Sequence, residues 1–299
     1  MPVRAGADLK ILPFRMPFKM PFRIKIRKEL LNTALMIVSA GVFIYSLSMI
    51  GYTLYSSYRN KDLMSEAQRI YYEQQQFTPT FNYKPSFDNM LRSIVMNESA
   101  APEDKGGVSS NAEILPEYKP LLEITEDIVG WINIPNTVIN YPVVQADDNE
   151  YYLNRAYTGE INKGGSIFMD FRNRGDGTDR NIILYGHHMR DGSMFKALTR
   201  FQDEEFLKRN PVFSFNTLYG RYDWEIFSVY VTGTDFKYIQ TRFLTPDEYQ
   251  SFLDTIKDKS LFDIDVELTT GDRIITLSTC TYDYSDARLV IHAKLIESE

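Results

Sequence analysis

The chain has a single cysteine, Cys280, and three histidines, His187, His188 and His292, so a thiol–imidazole site must be built from these. Cys280 closes the apolar run DRIITLST; the turn TYDYSD follows, and ARLVIHAKL returns as a second run. Taken as a hairpin centred on Tyr284, the two runs set Cys280 opposite Arg288, because directly opposed residues of an antiparallel pair lie about 4.5–5.5 Å apart. Alternation then puts Ser278, Cys280 and Arg288 on one face and Leu277, Leu289 and Ile291 on the other. A thiol at a strand end beside a guanidinium is a nucleophile with a cation at hand. That cation can hold an acyl substrate and stabilise the negative charge that grows on its carbonyl oxygen. The plainer reading makes Cys280 a small buried apolar residue, as free cysteines often are.

His292 shares the face of Arg288 but lies four residues further along, roughly 13–14 Å from the level of Cys280 and outside proton-transfer reach. It reads as a packing or surface residue. His187 and His188 follow the run NIILYG, at a strand end where catalytic side chains commonly emerge. Being adjacent, they point to opposite sides, and parity alone does not choose between them. The same opposition argues against a shared metal ion, and no HxxxH or HExxH spacing occurs. One cysteine excludes an intrachain disulfide or a cysteine-built metal cluster. No glycine-rich phosphate loop is present, and the segment 172–177 (RNRGDG) resembles a calcium loop only faintly and reads as a surface turn.

The elements that must position these groups are short and β-rich. From about residue 113, apolar runs at 130–134, 138–144, 166–170, 181–186, 212–216, 224–232, 273–279 and 287–296 read as strands. Their number and spacing predict a mainly β fold with peripheral helices, a closed or nearly closed eight-stranded barrel. One or two helices are expected over 193–209. Another is expected over 246–259, with Thr245 at its N-cap, Pro246 at N1 and Glu248 at N3. Tyr249, Phe252, Leu253 and Ile256 give that helix one apolar face.

Ahead of this domain lies a different composition. Residues 1–29 carry eight Lys/Arg against Asp8 and Glu29, whereas the rest of the chain is acidic at −13, within a total of −7. Such a body is a poor nucleic-acid binder; the basic head suits anionic lipid. Residues 30–58 contain no charge, and 30–55 as a helix would span roughly 39 Å against a hydrocarbon core of about 30 Å. Tyr52, Tyr55 and Tyr58 gather at its far end, as at a membrane interface. The expected order is therefore a basic cytoplasmic head (1–29), a transmembrane helix (30–55), an extracytoplasmic stalk and linker (56–112) and a catalytic domain (113–299). The proline every fourth residue in PFRMPFKMPFRI forbids a regular helix in the head; residues 59–76 read as a polar helical stalk.

The TLSTC element at 276–280, with YGHHMRDGSMF at 185–195 and Arg288-Leu289-Val290 downstream, resembles the sortases, especially class B. GWINIPNTVINYPVVQ and GSIFMDFRN extend the likeness from about Gly130 to the C-terminus. The resemblance implies Cys280 as nucleophile, His187 as acid/base and Arg288 as the oxyanion- and substrate-binding cation. It also implies a sorting-signal groove lined by Leu153, Thr234, Tyr238, Ile239 and Ser278. The reaction so implied is transpeptidation at the Thr of a C-terminal sorting signal on a surface protein. An amino group of a peptidoglycan precursor or a pilin lysine would then resolve the thioacyl enzyme, with no metal or organic cofactor. The competing expectations are a cysteine hydrolase that uses water as acceptor and a non-catalytic surface ectodomain.

Overall fold

The computed structural model describes residues 28–77, 113–280 and 286–296. The proline-rich head before residue 28, all but Phe77 of the linker expected over 77–112, and all but Asp286 of the turn expected at 281–286 lie outside the described residues.

Runs rich in β-branched and aromatic side chains, such as IITLSTC and DWEIFSVYVT, suit a pleated, half-buried surface. They form β1 (Ile128–Asn133), β2 (Asn140–Val144), β3 (Ile167–Met169), β4 (Asn181–Tyr185), β5 (Val212–Thr217), β6 (Asp223–Thr232), β7 (Ile274–Cys280) and β8 (Arg288–Leu295). These close into a barrel in the order β1-β2-β3-β4-β7-β8-β6-β5, so no strand is left with an unpaired edge. The contacts of β2 with β3 and of β4 with β7 are parallel; the others are antiparallel.

Alternation sorts β4, β7 and β8 into two faces. Ile182, Leu184, Ile275, Leu277, Leu289, Ile291 and Ala293 fill the barrel. Ile274 and Val290 instead join Phe227, Tyr230 and Tyr238 beneath a layer supplied by the chain between β6 and β7. That layer contains the longest helix packed on this face, Pro246–Asp258, which buries Tyr249, Phe252, Leu253 and Ile256. Thr245 Oγ1 accepts from the Glu248 backbone N–H at 3.1 Å. Glu248 reaches back one residue beyond the usual capping box, accepting from the Leu244 N–H at 2.7 Å. The expected helical stretch at 193–209 divides into a 3-10 helix (Phe195–Gln202) and a short α-helix (Glu204–Arg209) capped by Asp203.

The first helix runs continuously from Lys28 to Phe77, and the chain divides into two units between Gly51 and Tyr52. In the first unit its side chains are exposed and apolar, and the helix is long and apolar enough to cross a membrane by length and composition. In the second unit, the segment read as a polar stalk is packed on the barrel. Asn60, Leu63, Met64, Ala67 and Tyr71 are buried at helical spacing, and the Tyr71 ring stacks on Trp131 at 4.1 Å and 8°. Gln68 Nε2 donates to Asn140 O at 2.8 Å. Arg59 pairs with Glu160 at 3.1 Å.

His292 is fully buried under the outer layer, which fits the packing alternative. Tyr230 Oη lies 2.7 Å from its Nε2 and Thr276 Oγ1 lies 2.9 Å from its Nδ1. Thr276 donates its one hydroxyl proton to Asn181 Oδ1 at 2.7 Å, so His292 Nδ1 is the donor toward Thr276 and Tyr230 donates to Nε2. The ring is therefore neutral. Burial without a counter-charge lowers its pKa from 6.5 to about 3. The unfolded chain takes up a proton near 6.5 and the folded chain does not. Stability from this group is therefore intact above that value and is lost as pH falls toward 3, by at most about 1.4 kcal/mol per pH unit. Denaturant unfolding at a series of pH values between 6.5 and 4.5 should show a shallower acid loss for His292→Gln than for wild type. Equal slopes would refute this account.

Candidate active site

β4, β7 and β8 lie side by side in the barrel. In the β7–β8 ladder Cys280 is the direct partner of Arg288, as the hairpin reading expects. On the other side of β7, the parallel register pairs Tyr185 with Ser278, and Gly186 N–H donates to Ser278 O at 3.2 Å. His187 follows two residues beyond the last pair of that register, as Cys280 follows Ser278 on β7.

Strand alternation also separates the two adjacent histidines. Ile182 and Leu184 point into the barrel, so by alternation Asn181, Ile183, Tyr185 and next His187 take the other face. His188 has the opposite parity; it is buried and bridges to Met194. His187 is half-buried, and its Nε2 lies 2.6 Å from the carbonyl oxygen of Leu153. A carbonyl only accepts, so Nε2 carries the proton.

Two local features fix this stretch. A Cβ on Gly186 would sit 2.5 Å from Ile167 Cδ1 and 2.8 Å from the Phe195 ring, so the residue before His187 has to be glycine. The loop beyond closes through Phe195 N–H donating to His187 O at 2.9 Å, with fully buried Met194 held at φ 54°, a region that a side chain rarely adopts. Burial raises the pKa of Asp191 in this loop, but hydrogen bonds from Ser193 and from Ser57 of the first helix, with the charge of Lys61, bring it below the usual carboxylate value. The first helix thus reaches the segment that carries the histidine.

Arg288 is half-buried, and its Nη1 donates to Ala287 O at 3.1 Å. Of the residues expected to line a groove, Leu153 sits in the 3-10 turn Tyr151–Asn154 and contributes the carbonyl that meets His187. Tyr238 and Ser278 are both buried and are joined hydroxyl to hydroxyl at 2.9 Å. Ile239 follows, half-buried, whereas Thr234 stands exposed just beyond β6.

The turn at 172–177 departs from its reading as surface. Asn173 is buried, donating to Asn181 O at 2.8 Å and accepting from Ile183 N–H at 2.9 Å. Asp170, fully buried, accepts from Arg172 Nε and Nη2 at 2.7 Å each, from Tyr185 Oη at 2.9 Å and from Asn149 Nδ2 at 3.0 Å. Burial opposes the Asp170 charge, yet the bonds from Arg172, Tyr185 and Asn149 outweigh it and hold the carboxyl below its ordinary value. Arg172 Nη2 also donates to Ile239 O at 3.0 Å. Asp and Arg two apart after a strand (MDFR) share one face, which is the sequence signal for this pair.

The chain is similar to several known proteins. The family model for the sortase domain matches residues 132–296. Sortase B of Listeria monocytogenes is 36% identical over 271 residues, covering 90% of this chain and 98% of that protein. A Bacillus anthracis crystal structure described as similar to sortase B matches with a TM-score of 0.65 at 43% identity, over 81% of this chain and 98% of that one. The Staphylococcus aureus sortase B–substrate complex gives a TM-score of 0.64 at 34% identity, over 81% and 99%.

Proposed function

Because the chain belongs to the sortase family, with class B relatives, and is a cysteine transpeptidase of cell-wall sorting, we propose that Cys280, His187 and Arg288 carry the reaction. What supports this reading is the pairing of Cys280 with Arg288 between β7 and β8, together with the β4–β7 register that ends two residues short of His187. The Cys280 thiolate attacks the carbonyl carbon of a Thr in the C-terminal sorting signal of a surface protein. The tetrahedral oxyanion forms beside Arg288. The C–N bond then breaks, and His187 gives a proton to the leaving amine, leaving a thioester on Cys280. An amino group from a peptidoglycan precursor or a pilin lysine attacks the thioester, its proton passes to His187, and the thiolate departs. Leu153, Thr234, Tyr238, Ile239 and Ser278 line the groove for the signal.

The uncharged helix before the barrel acts as a single-pass anchor with the basic head in the cytoplasm and the barrel outside. Enzyme and substrate then share one membrane, and proximity substitutes for high affinity.

Full-length protein in micelles, given a fluorogenic sorting-signal peptide and an amine, should yield the amide adduct by mass spectrometry. Free acid alone would favour the hydrolase, and no turnover over a panel of sorting signals would overturn the proposal. Arg288→Lys keeps the charge but loses the planar fork; kcat/KM should fall about 100-fold with an unchanged Tm. A fall of less than about threefold would remove Arg288 from the oxyanion role.

A further inference from the structure

Three successive residues of the chain between β6 and the helix Pro246–Asp258 are each tied to a different strand or strand end. Tyr238 Oη meets Ser278 of β7 at 2.9 Å. The Ile239 carbonyl accepts from Arg172, just past β3, at 3.0 Å. The Gln240 carbonyl accepts from Asn181 of β4 at 2.9 Å. Tyr238 and Ser278 are already placed in the groove, and Asn181 is fully buried in the chain of bonds that starts at Tyr230. Arg172 is different: its side chain is 36% exposed while its partner Asp170 is 0% exposed.

An ion pair whose carboxylate is fully buried is a poor device for stability alone, because desolvation of that charge consumes much of what the attraction provides. It is a good device for geometry, since a planar guanidinium fixes direction as well as distance. Here Nε and Nη2 clamp both Asp170 oxygens, and the second Nη2 proton is thereby aimed at Ile239 O. Asp170 is itself oriented by Tyr185 and Asn149, so the clamp is referenced to β4 and to the segment ahead of the 3-10 turn that bears Leu153.

We infer that Arg172, oriented by Asp170, is a positioning residue for substrate: through the Ile239 carbonyl it sets the wall formed by Tyr238 and Ile239 against β7, and so governs affinity for the sorting peptide rather than the acyl-transfer step. This rests on the groove assignment made above.

The test is Arg172→Lys in the full-length protein. Lysine keeps a positive charge beside Asp170 but cannot hold both carboxylate oxygens and aim a third bond at Ile239. KM for the sorting peptide should rise about tenfold with kcat within about twofold, the pattern of lost binding common to ground and transition states. The rate of alkylation of Cys280 by iodoacetamide should be unchanged. Amide exchange over residues 236–242 should quicken while that of β7 stays at wild-type rates, a readout independent of turnover. Unchanged KM and unchanged exchange would overturn the inference while leaving the transpeptidase standing. So would a fall in kcat and in alkylation rate with KM unaltered. A wild-type protein that turns over no sorting peptide would overturn both.

Discussion

Cys280→Ala is expected to bring sorting-peptide cleavage down to the uncatalysed background, a loss of about 10⁵-fold or more. The chain has no second thiol to take over. The β7–β8 ladder that sets position 280 against Arg288 is made by backbone groups, so alanine leaves the pairing in place, and the melting temperature should stay close to wild type. The covalent step gives a second readout. Wild-type protein quenched in acid during turnover should carry the acyl portion of the peptide on the tryptic fragment containing residue 280, and the variant should carry none. Residual activity above about one per cent of wild type, far over what a knocked-out nucleophile leaves, would mean that the chemistry lies elsewhere.

His187→Ala should cost about 10³-fold in kcat, the middle of the range for a positioned acid–base group. The truncation leaves a space bounded by the Leu153 carbonyl, which held the ring at 2.6 Å. Added imidazole should occupy that space and restore part of the rate in a concentration-dependent manner. His188 and His292 provide the contrast. One has the opposite parity and bridges to Met194; the other is buried between Tyr230 and Thr276. Neither faces the level of Cys280, so His292→Gln should retain near-normal turnover at neutral pH. If His187→Ala retains a tenth of wild-type kcat, or if imidazole has no effect while the protein remains folded, the acid–base assignment fails.

Local patterning made much of the barrel legible. Eight short apolar runs became the eight strands with ends shifted by a residue or two, because strand ends depend on where pairing stops rather than on composition. The Cys280–Arg288 juxtaposition followed from counting around one turn, an interaction within a single hairpin. The choice between His187 and His188 did not, because it depends on the parallel pairing of β4 with β7, whose residues lie more than 90 positions apart. The Asp170–Arg172 pair had a local signal in MDFR, but its contact with Ile239, 67 residues away, had none. Residues 59–76 read as a polar stalk, yet Leu63, Met64, Ala67 and Tyr71 form a stripe that only the facing Trp131 and its neighbours make meaningful.

The outer cover of β7 and β8 is a single uninterrupted insertion between β6 and β7, so on the proposed assignment the barrel carries the reacting residues and the insertion much of the recognition wall. Such a division makes the insertion a cassette. A related insertion could be grafted across the same two junctions, changing which peptide is chosen while leaving bond-breaking untouched, provided the graft brings carbonyls that Arg172 and Asn181 can grip.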